Sequence, residues 1–149
     1  MASTLRLRAD IIALDRDGEA VLIAEVKATP ASGEAREQLA EYVRRFGPRL
    51  PFAMLIDPAT IEIYRLNGEG LSDAVARLPT PEVISRYDPD APRKKILDFY
   101  LGTLIEAWLR DIAYHWKSDT PPFQAELAAI GLAEQLADGT TVSETDLAA

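Results

Sequence analysis

Asp10, Glu25 and Lys27 are the residues whose types and spacing best suit chemistry: two carboxylates that can hold a cation and an amine that can handle a proton. What could bring them together is the turn between them. Two apolar runs, Leu5 to Leu14 and Ala20 to Lys27, flank the stretch Asp15-Arg16-Asp17-Gly18-Glu19. An Asp-Gly pair between two such runs signals a tight hairpin, because a type I′ turn needs positive φ at both central residues. If Asp17 and Gly18 form the loop, Arg16 faces Glu19, Leu14 faces Val21, Ile12 faces Ile23 and Asp10 faces Glu25. Opposed residues of an antiparallel pair share a face, with Cβ atoms about 4.5–5.5 Å apart. Lys27, two residues beyond Glu25, shares that face too.

Like charges set face to face destabilise a sheet unless something neutralises them, and a divalent cation does this well. The neighbours Ile12, Leu14, Val21 and Ile23 are apolar, as are Ile11, Ala13, Leu22, Ala24 and Val26 on the other face, so the acids lie at the rim of a core. The chain has no cysteine and one histidine, His115. Oxygen donors therefore dominate, which favours Mg²⁺ or Mn²⁺ over zinc. The expected chemistry is metal-assisted hydrolysis of a phosphodiester. Asp10 and Glu25 hold the ion with help from the Val26 carbonyl, and the ion polarises the phosphate and acidifies bound water. Lys27 positions or deprotonates that water, or stabilises charge on the phosphate. The plainer alternative is a surface salt bridge between Lys27 and one acid.

The elements that must position these residues read as strand, strand, helix, strand, strand, then helices. A helix from the Ser32 cap to about Phe46 has Leu39, Tyr42, Val43 and Phe46 on its apolar face and stops at Gly47-Pro48. Pro51 to Ile56 and Ile61 to Leu66 read as strands, with Asn67-Gly68 closing the second. Leu71 to Tyr87, interrupted by Pro79 and Pro81, reads as an irregular connection with a short strand around Val83. A long helix follows from Pro92 to about Trp116, apolar on a wide face that includes Ile96, Leu97, Tyr100, Leu101, Leu104, Trp108 and Ile112. A last helix spans about Phe123 to Ala137. The expectation is one α/β domain over residues 1–139, a mixed sheet with flanking helices, its core at about 5–66 and extra C-terminal helices at about 92–137. Residues 140–149 read as a flexible tail.

The segment Ala9-Asp10, then Asp17-Gly18, then Ile23-Ala24-Glu25-Val26-Lys27 resembles the D…(D/E)-x-K signature of the PD-(D/E)XK nuclease superfamily. Gln38-Leu39-Ala40-Glu41-Tyr42 is similar to the Q-x-x-x-Y element of several of its branches. The likeness is nearest to the N-terminal nuclease domain of type I restriction enzyme R subunits and related stand-alone proteins, and covers roughly residues 5–66. It implies a restriction-endonuclease-like core and a metal-dependent endonuclease acting on DNA in a restriction or defence setting. By resemblance Asp10 and Glu25 are metal ligands and Lys27 the catalytic lysine. Gln38 supports the site, and Tyr42 contacts substrate or packs in the core. Ala9 stands where the family has proline. Many members also begin with a helix carrying an acidic residue near the metal, and residues 1–8 are too short and strand-like to supply it. Glu106, on the long helix, is the candidate substitute.

Charge argues the other way. The chain carries 16 basic and 24 acidic residues, a net −8, which disfavours nucleic acid. The excess is uneven: residues 1–50 hold eight of each sign, residues 101–149 two basic against eight acidic. Two basic clusters remain, Arg44-Arg45-Arg49 and Arg93-Lys94-Lys95, and Arg44 and Arg45 are candidate DNA contacts. No apolar run suits a membrane span or a signal peptide, so the expected compartment is the cytoplasm. A homodimer through the long C-terminal helix and a larger restriction-type partner are the protein partners considered. The rival to the nuclease is a non-catalytic descendant of the same fold, acting as an oligomeric or partner-binding module.

Overall fold

The computed structural model describes residues 10–30, 33–47, 49–66, 70–93 and 98–143. The expected features at Leu5–Ala9, Ser32, Pro48, Asn67-Gly68, Lys94-Lys95, Ile96-Leu97 and residues 144–149 lie outside them. The chain builds β1 (Ile11–Leu14), β2 (Ala20–Val26), α1 (Gly33–Phe46), β3 (Phe52–Ile56), β4 (Thr60–Leu66), β5 (Leu71–Pro79) and α2 (Thr80–Ile84). A 3-10 turn at Ala91–Arg93 leads to α3 (Asp98–Tyr114), α4 (Gln124–Ala129), α5 (Leu132–Leu136) and β6 (Thr140–Val142). The six strands form one mixed sheet in the order β5-β4-β3-β2-β1-β6, parallel only between β2 and β3.

Both faces of the sheet are covered, as the apolar runs of β1 and β2 require. On one face Ile11, Ala13, Leu22, Ala24, Met54, Ile56, Ile61 and Ile63 pack with Leu101, Ile105, Trp108 and Leu109 of α3, and with Leu127, Leu132 and Leu136 of α4 and α5. On the other, Ile12, Ile23, Ala53, Leu55 and Tyr64 pack with Ala35, Leu39, Tyr42 and Val43 of α1. Helix α1 is rich in strong helix formers and carries Glu34 in its first turn and Arg44 and Arg45 in its last, each sign opposing the helix dipole. It ends at Gly47, whose φ of 120° opens the turn and whose amide donates to the Val43 carbonyl. Phe46, expected on the buried face, is 40% exposed.

Four expectations fail. The segment from Leu71 is a nine-residue strand, β5, and Val83 lies in α2. Pro79 ends an edge strand, where a missing N–H costs little, and Pro81 sits in the first turn of α2. The last helix is two short ones, broken at Gly131 with φ 87°. Helix α3 stops at Tyr114 because His115 takes a left-handed φ of 52°. Asp111, fully buried, then accepts from the amides of Lys117 and Ser118 and from the Tyr87 hydroxyl at 2.7 Å. Finally, Thr140–Val142 is not a loose tail but β6, paired with β1. Gly139 makes that return possible, since a Cβ there would collide with the Leu14 carbonyl.

Candidate functional site

The hairpin between β1 and β2 differs from the expected two-residue turn. Asp15 N–H donates to Glu19 O and Gly18 N–H to Asp15 O, so the loop holds three residues, with Gly18 left-handed at φ 81°. The Asp15 carboxylate selects this loop by accepting from the amides of Asp17 and Glu19. The longer loop shifts the register, and Leu14 pairs with Ala20 instead of Val21. Val21 is then the extra residue of a bulge, and it turns to the α3 face with Leu22. Beyond the bulge the expected register returns: Ala13 with Leu22, Ile12 with Ile23, Ile11 with Ala24.

The ladder ends at Ile11 with Ala24, and Asp10 is a bend one residue beyond it, so the expected ladder pair of Asp10 with Glu25 does not form. Asp10 N–H donates to Ala24 O at 3.1 Å, and the Asp10 carboxylate Oδ2 accepts from Val26 N–H at 2.7 Å. A side-chain oxygen thus ties Asp10 to the end of β2, next to Glu25. Glu25 alternates with Ile23 and so belongs to the α1 face, where only 13% of its side chain is exposed. Lys27 Nζ stands 3.8 Å from Glu25 Oε2, with 34% of its side chain exposed. Its backbone is fixed by an amide bond to Ile56 O at 2.8 Å. Asp10 itself is exposed. The arrangement is an open rim carrying two carboxylates and an amine, set on main chain that is hydrogen-bonded on both sides.

Other candidate residues are placed differently. Tyr42 is buried against the sheet and stacks at 6.1 Å on Phe46, while Gln38, one turn earlier, is exposed. Arg44 and Arg45 both pair with Glu41. They lie at the far end of α1, where Phe46, Gly47, Arg49 and Leu50 border Glu19 and Ala20 around a small surface pocket. Ala20 and Glu25 are about 16 Å apart along β2, so these arginines do not share the rim with the acids. Glu106 is on the opposite side of the sheet, where its carboxylate accepts from the Thr141 hydroxyl at 2.8 Å and lies 3.6 Å from Arg110. It cannot serve as the missing acid. His115 is exposed at the end of α3, with Nδ1 3.0 Å from Ser118 O. Asp57 is turn chemistry, its Oδ1 accepting from the amides of Ala59 and Thr60.

The structure adds a second polar group that the sequence did not reveal. Glu25 pairs with Leu55, Leu55 with Glu62, and Glu62 with Arg77, so these residues form one row across the α1 face. Glu62 accepts from the Tyr64 hydroxyl at 2.6 Å and from Arg77 Nε at 2.9 Å. Those bonds, Tyr64's first, hold the Glu62 carboxyl below the usual range. Burial and then the bond to Glu62 push the Tyr64 phenol up to about 12. Arg36 of α1 lies 5.2 Å from the Tyr64 ring centre and donates to Ser72 O, clamping the start of α1 to β4 and β5. The alternation Glu62-Ile63-Tyr64 is visible in the sequence. Its partner Arg77 is not, because the prolines give β5 an irregular pattern. Glu62 is two strands from Glu25, about 10 Å away, too far to share an ion with it.

The donor set suits a hard cation. Mg²⁺ is typically held by one or two carboxylates, with water and substrate phosphate completing the shell. The two acids of the rim are of that kind, and among the described residues no group of three or more acidic or histidine side chains could hold a metal. No helix among the described residues is long and apolar enough to cross a membrane. No family model matches the chain, and neither a curated protein nor a solved structure matches it.

Proposed function

We propose that this protein is a metal-dependent nuclease that hydrolyses phosphodiester bonds in DNA, with Asp10, Glu25 and Lys27 at its active centre. The observation that carries this reading is the Glu25–Lys27 pair at 3.8 Å beside an Asp10 anchored to Val26 N–H. Asp10 and Glu25, with the Val26 carbonyl, would hold Mg²⁺ or Mn²⁺, which when bound supplies positive charge at the scissile phosphate. Glu25 holds the Lys27 amine at the rim, where it can orient the attacking water, take its proton or stabilise charge on phosphate oxygen. Gln38, exposed on α1, would support the site from that helix. Arg44 and Arg45, some 16 Å along the same layer, suit a polymer better than a mononucleotide. An extended strand lying along α1 would meet the rim with one phosphate and the arginines with others.

Incubation with plasmid and single-stranded DNA and Mg²⁺ or Mn²⁺ tests the proposal. Cleavage is expected, with Lys27→Ala slower by roughly 10²–10⁴-fold. Equal cleavage by the variant removes it. A second reading, a non-catalytic partner-binding descendant of a restriction-type nuclease fold working with copies of itself or a larger protein, is favoured by the exposed aromatics on α3 and just beyond it, Phe99 and Trp116. Calorimetry separates the two. Mg²⁺ binding that Asp10→Asn abolishes supports the nuclease; self-association without ion binding supports the second.

A further inference from the structure

Helix α3 has two unlike faces. Leu101, Leu104, Ile105, Trp108, Leu109 and Ile112 are buried in the core. The opposite stripe, about 100° wide at helical spacing, carries Phe99, Thr103, Glu106, Ala107, Arg110 and Tyr114. Phe99 is 84% exposed and Tyr114 47%. Trp116 folds back over the helix end, donating from Nε1 to Ala107 O at 2.8 Å, and is still 50% exposed. Between Trp116 and Arg110 lies a groove of about 250 Å³, floored by Thr103 and Ala107. Single exposed apolar residues need no explanation, but aromatic rings at both ends of one helix stripe, beside a groove, mark a contact surface.

We infer that this surface binds a second copy of the chain, with the two α3 helices antiparallel across a twofold axis near Glu106 and Ala107. A twofold contact requires that residue i meet j and j meet i. The stripe meets that demand: Phe99 falls opposite Tyr114, Thr103 opposite Arg110, and Glu106 opposite Ala107. The ends are aromatic and Ala107 at the axis is small, so the helices meet there with Glu106 and Arg110 on either side, and the Phe99 ring enters the mate's groove beside Tyr114 and Trp116. Charge favours the same occupant. The chain carries a net −8, yet the stripe holds one acid and one base and is neutral. Arg110 lies about 4.5 Å along the axis from the mate's Glu106, three residues off register. Thr141 already orders both: its hydroxyl accepts from Arg110 Nε at 2.8 Å and donates to Glu106. A lipid surface would call for a cluster of basic residues around the aromatics, and this surface has two: Arg110, paired with Glu106, and Lys117, 5.9 Å from the Trp116 ring centre. Six rings from the two copies, with the residues between, bury on the order of 1,000 Å², about the least that a specific interface needs. The inference does not depend on catalysis.

The absence of cysteine makes the test direct. Sedimentation at micromolar concentration should give a dimer, and Phe99→Ser should weaken it by roughly tenfold or more. At this exposure the substitution leaves the fold intact, which circular dichroism verifies. Ala107→Cys should crosslink to itself through a short thiol-reactive linker, while Val75→Cys, 37% exposed on β5, should not. A monomer at all concentrations overturns the inference. So does a dimer indifferent to Phe99→Ser, crosslinking equal at Ala107 and Val75, or Phe99-dependent flotation with vesicles in place of self-association.

Discussion

The sheet separates two environments built from the same strands. Toward α3 it presents a broad apolar surface, and helices α3, α4 and α5 close over it, with Thr141 and Arg65 as polar contacts at its margins. Toward α1 it presents a smaller core fringed by Asp10, Glu25 and Lys27 at one rim, with Glu62, Arg77 and the Tyr64 hydroxyl two strands away. One helix covers this side, and it leaves the rim open. The contrast teaches where each face spends its free energy. Burial of large side chains toward α3 holds the fold, which lets the α1 face keep close charges that add little stability.

The largest expected effect follows from that division. Trp108 is fully buried, and its Nε1 donates to Pro122 O at 2.9 Å. Trp108→Ala removes a large side chain and frees a buried acceptor, and should cost about 3–5 kcal/mol in urea unfolding. Lys27→Ala should cost under about 1 kcal/mol, since its ion pair is partly solvated. If Lys27→Ala destabilised the protein as much as Trp108→Ala, the separation of a structural face from a chemical one would be wrong.

Next in size is the strand that edges the sheet. Gly139→Ala forces a Cβ against the Leu14 carbonyl, and the expected cost is roughly 1–3 kcal/mol. Because β6 pairs only with β1, the loss should take the form of release of that strand. Faster amide exchange is expected at Thr141 and at its β1 neighbours, with protection in β3 and β4 unchanged. Uniform loss of protection would show instead that β6 is integral to the core.

A third prediction concerns the α1 face at high pH. Tyr64 is raised to about 12 by burial and its bond to Glu62. A phenol whose folded value lies above its ordinary 10 contributes stability that is fully present below pH 10 and lost as pH rises toward 12. Wild type should lose roughly 1–2 kcal/mol more than Tyr64→Phe across that window, measured as urea midpoints. Glu62 acts at the other end. Its lowered carboxyl contributes above the ordinary carboxylate value, and that contribution fades as pH falls through its folded value. An identical alkaline profile for Tyr64→Phe would mean that the hydroxyl does not couple to folding.

What could be read in advance followed the strength of local signals. The alternation of β4, most of the apolar faces of α1 and α3, and the opposition of Ile12 to Ile23 are legible, because each repeats over several residues; Phe46 and Tyr100, near the ends of those helices, are exposed instead. The outer register was reached by the wrong turn: a loop one residue longer was offset by the bulge at Val21. Neither shift is written in the apolar pattern, since Val21 is apolar whichever way it faces. Strand β5 was hidden by its prolines and by small residues such as Ala74 and Ala76, and with it went Arg77 and the row that ends there. Strand β6 is three residues long and owes its place to β1 and Gly139. Such an element is made by tertiary contact, which local propensity does not encode.

The smallest expected effect bears most directly on the rim. Glu25→Gln removes one of two neighbouring negative charges and also breaks the pair with Lys27. The first change stabilises and the second destabilises, and at a carboxylate only 13% exposed the two offset. The net change without divalent ions should therefore lie within about 1 kcal/mol of zero. Added Mg²⁺ should separate the proteins. An ion bound only by the folded state raises the melting temperature by mass action, so wild type should shift upward with Mg²⁺ concentration, and Glu25→Gln and Asp10→Asn should not. Equal shifts in all three would assign the ion to generic screening and take the cation from the rim. A wild-type shift that survives Lys27→Ala but fails in both acid variants would place ligation on the carboxylates and leave the amine to the chemical step.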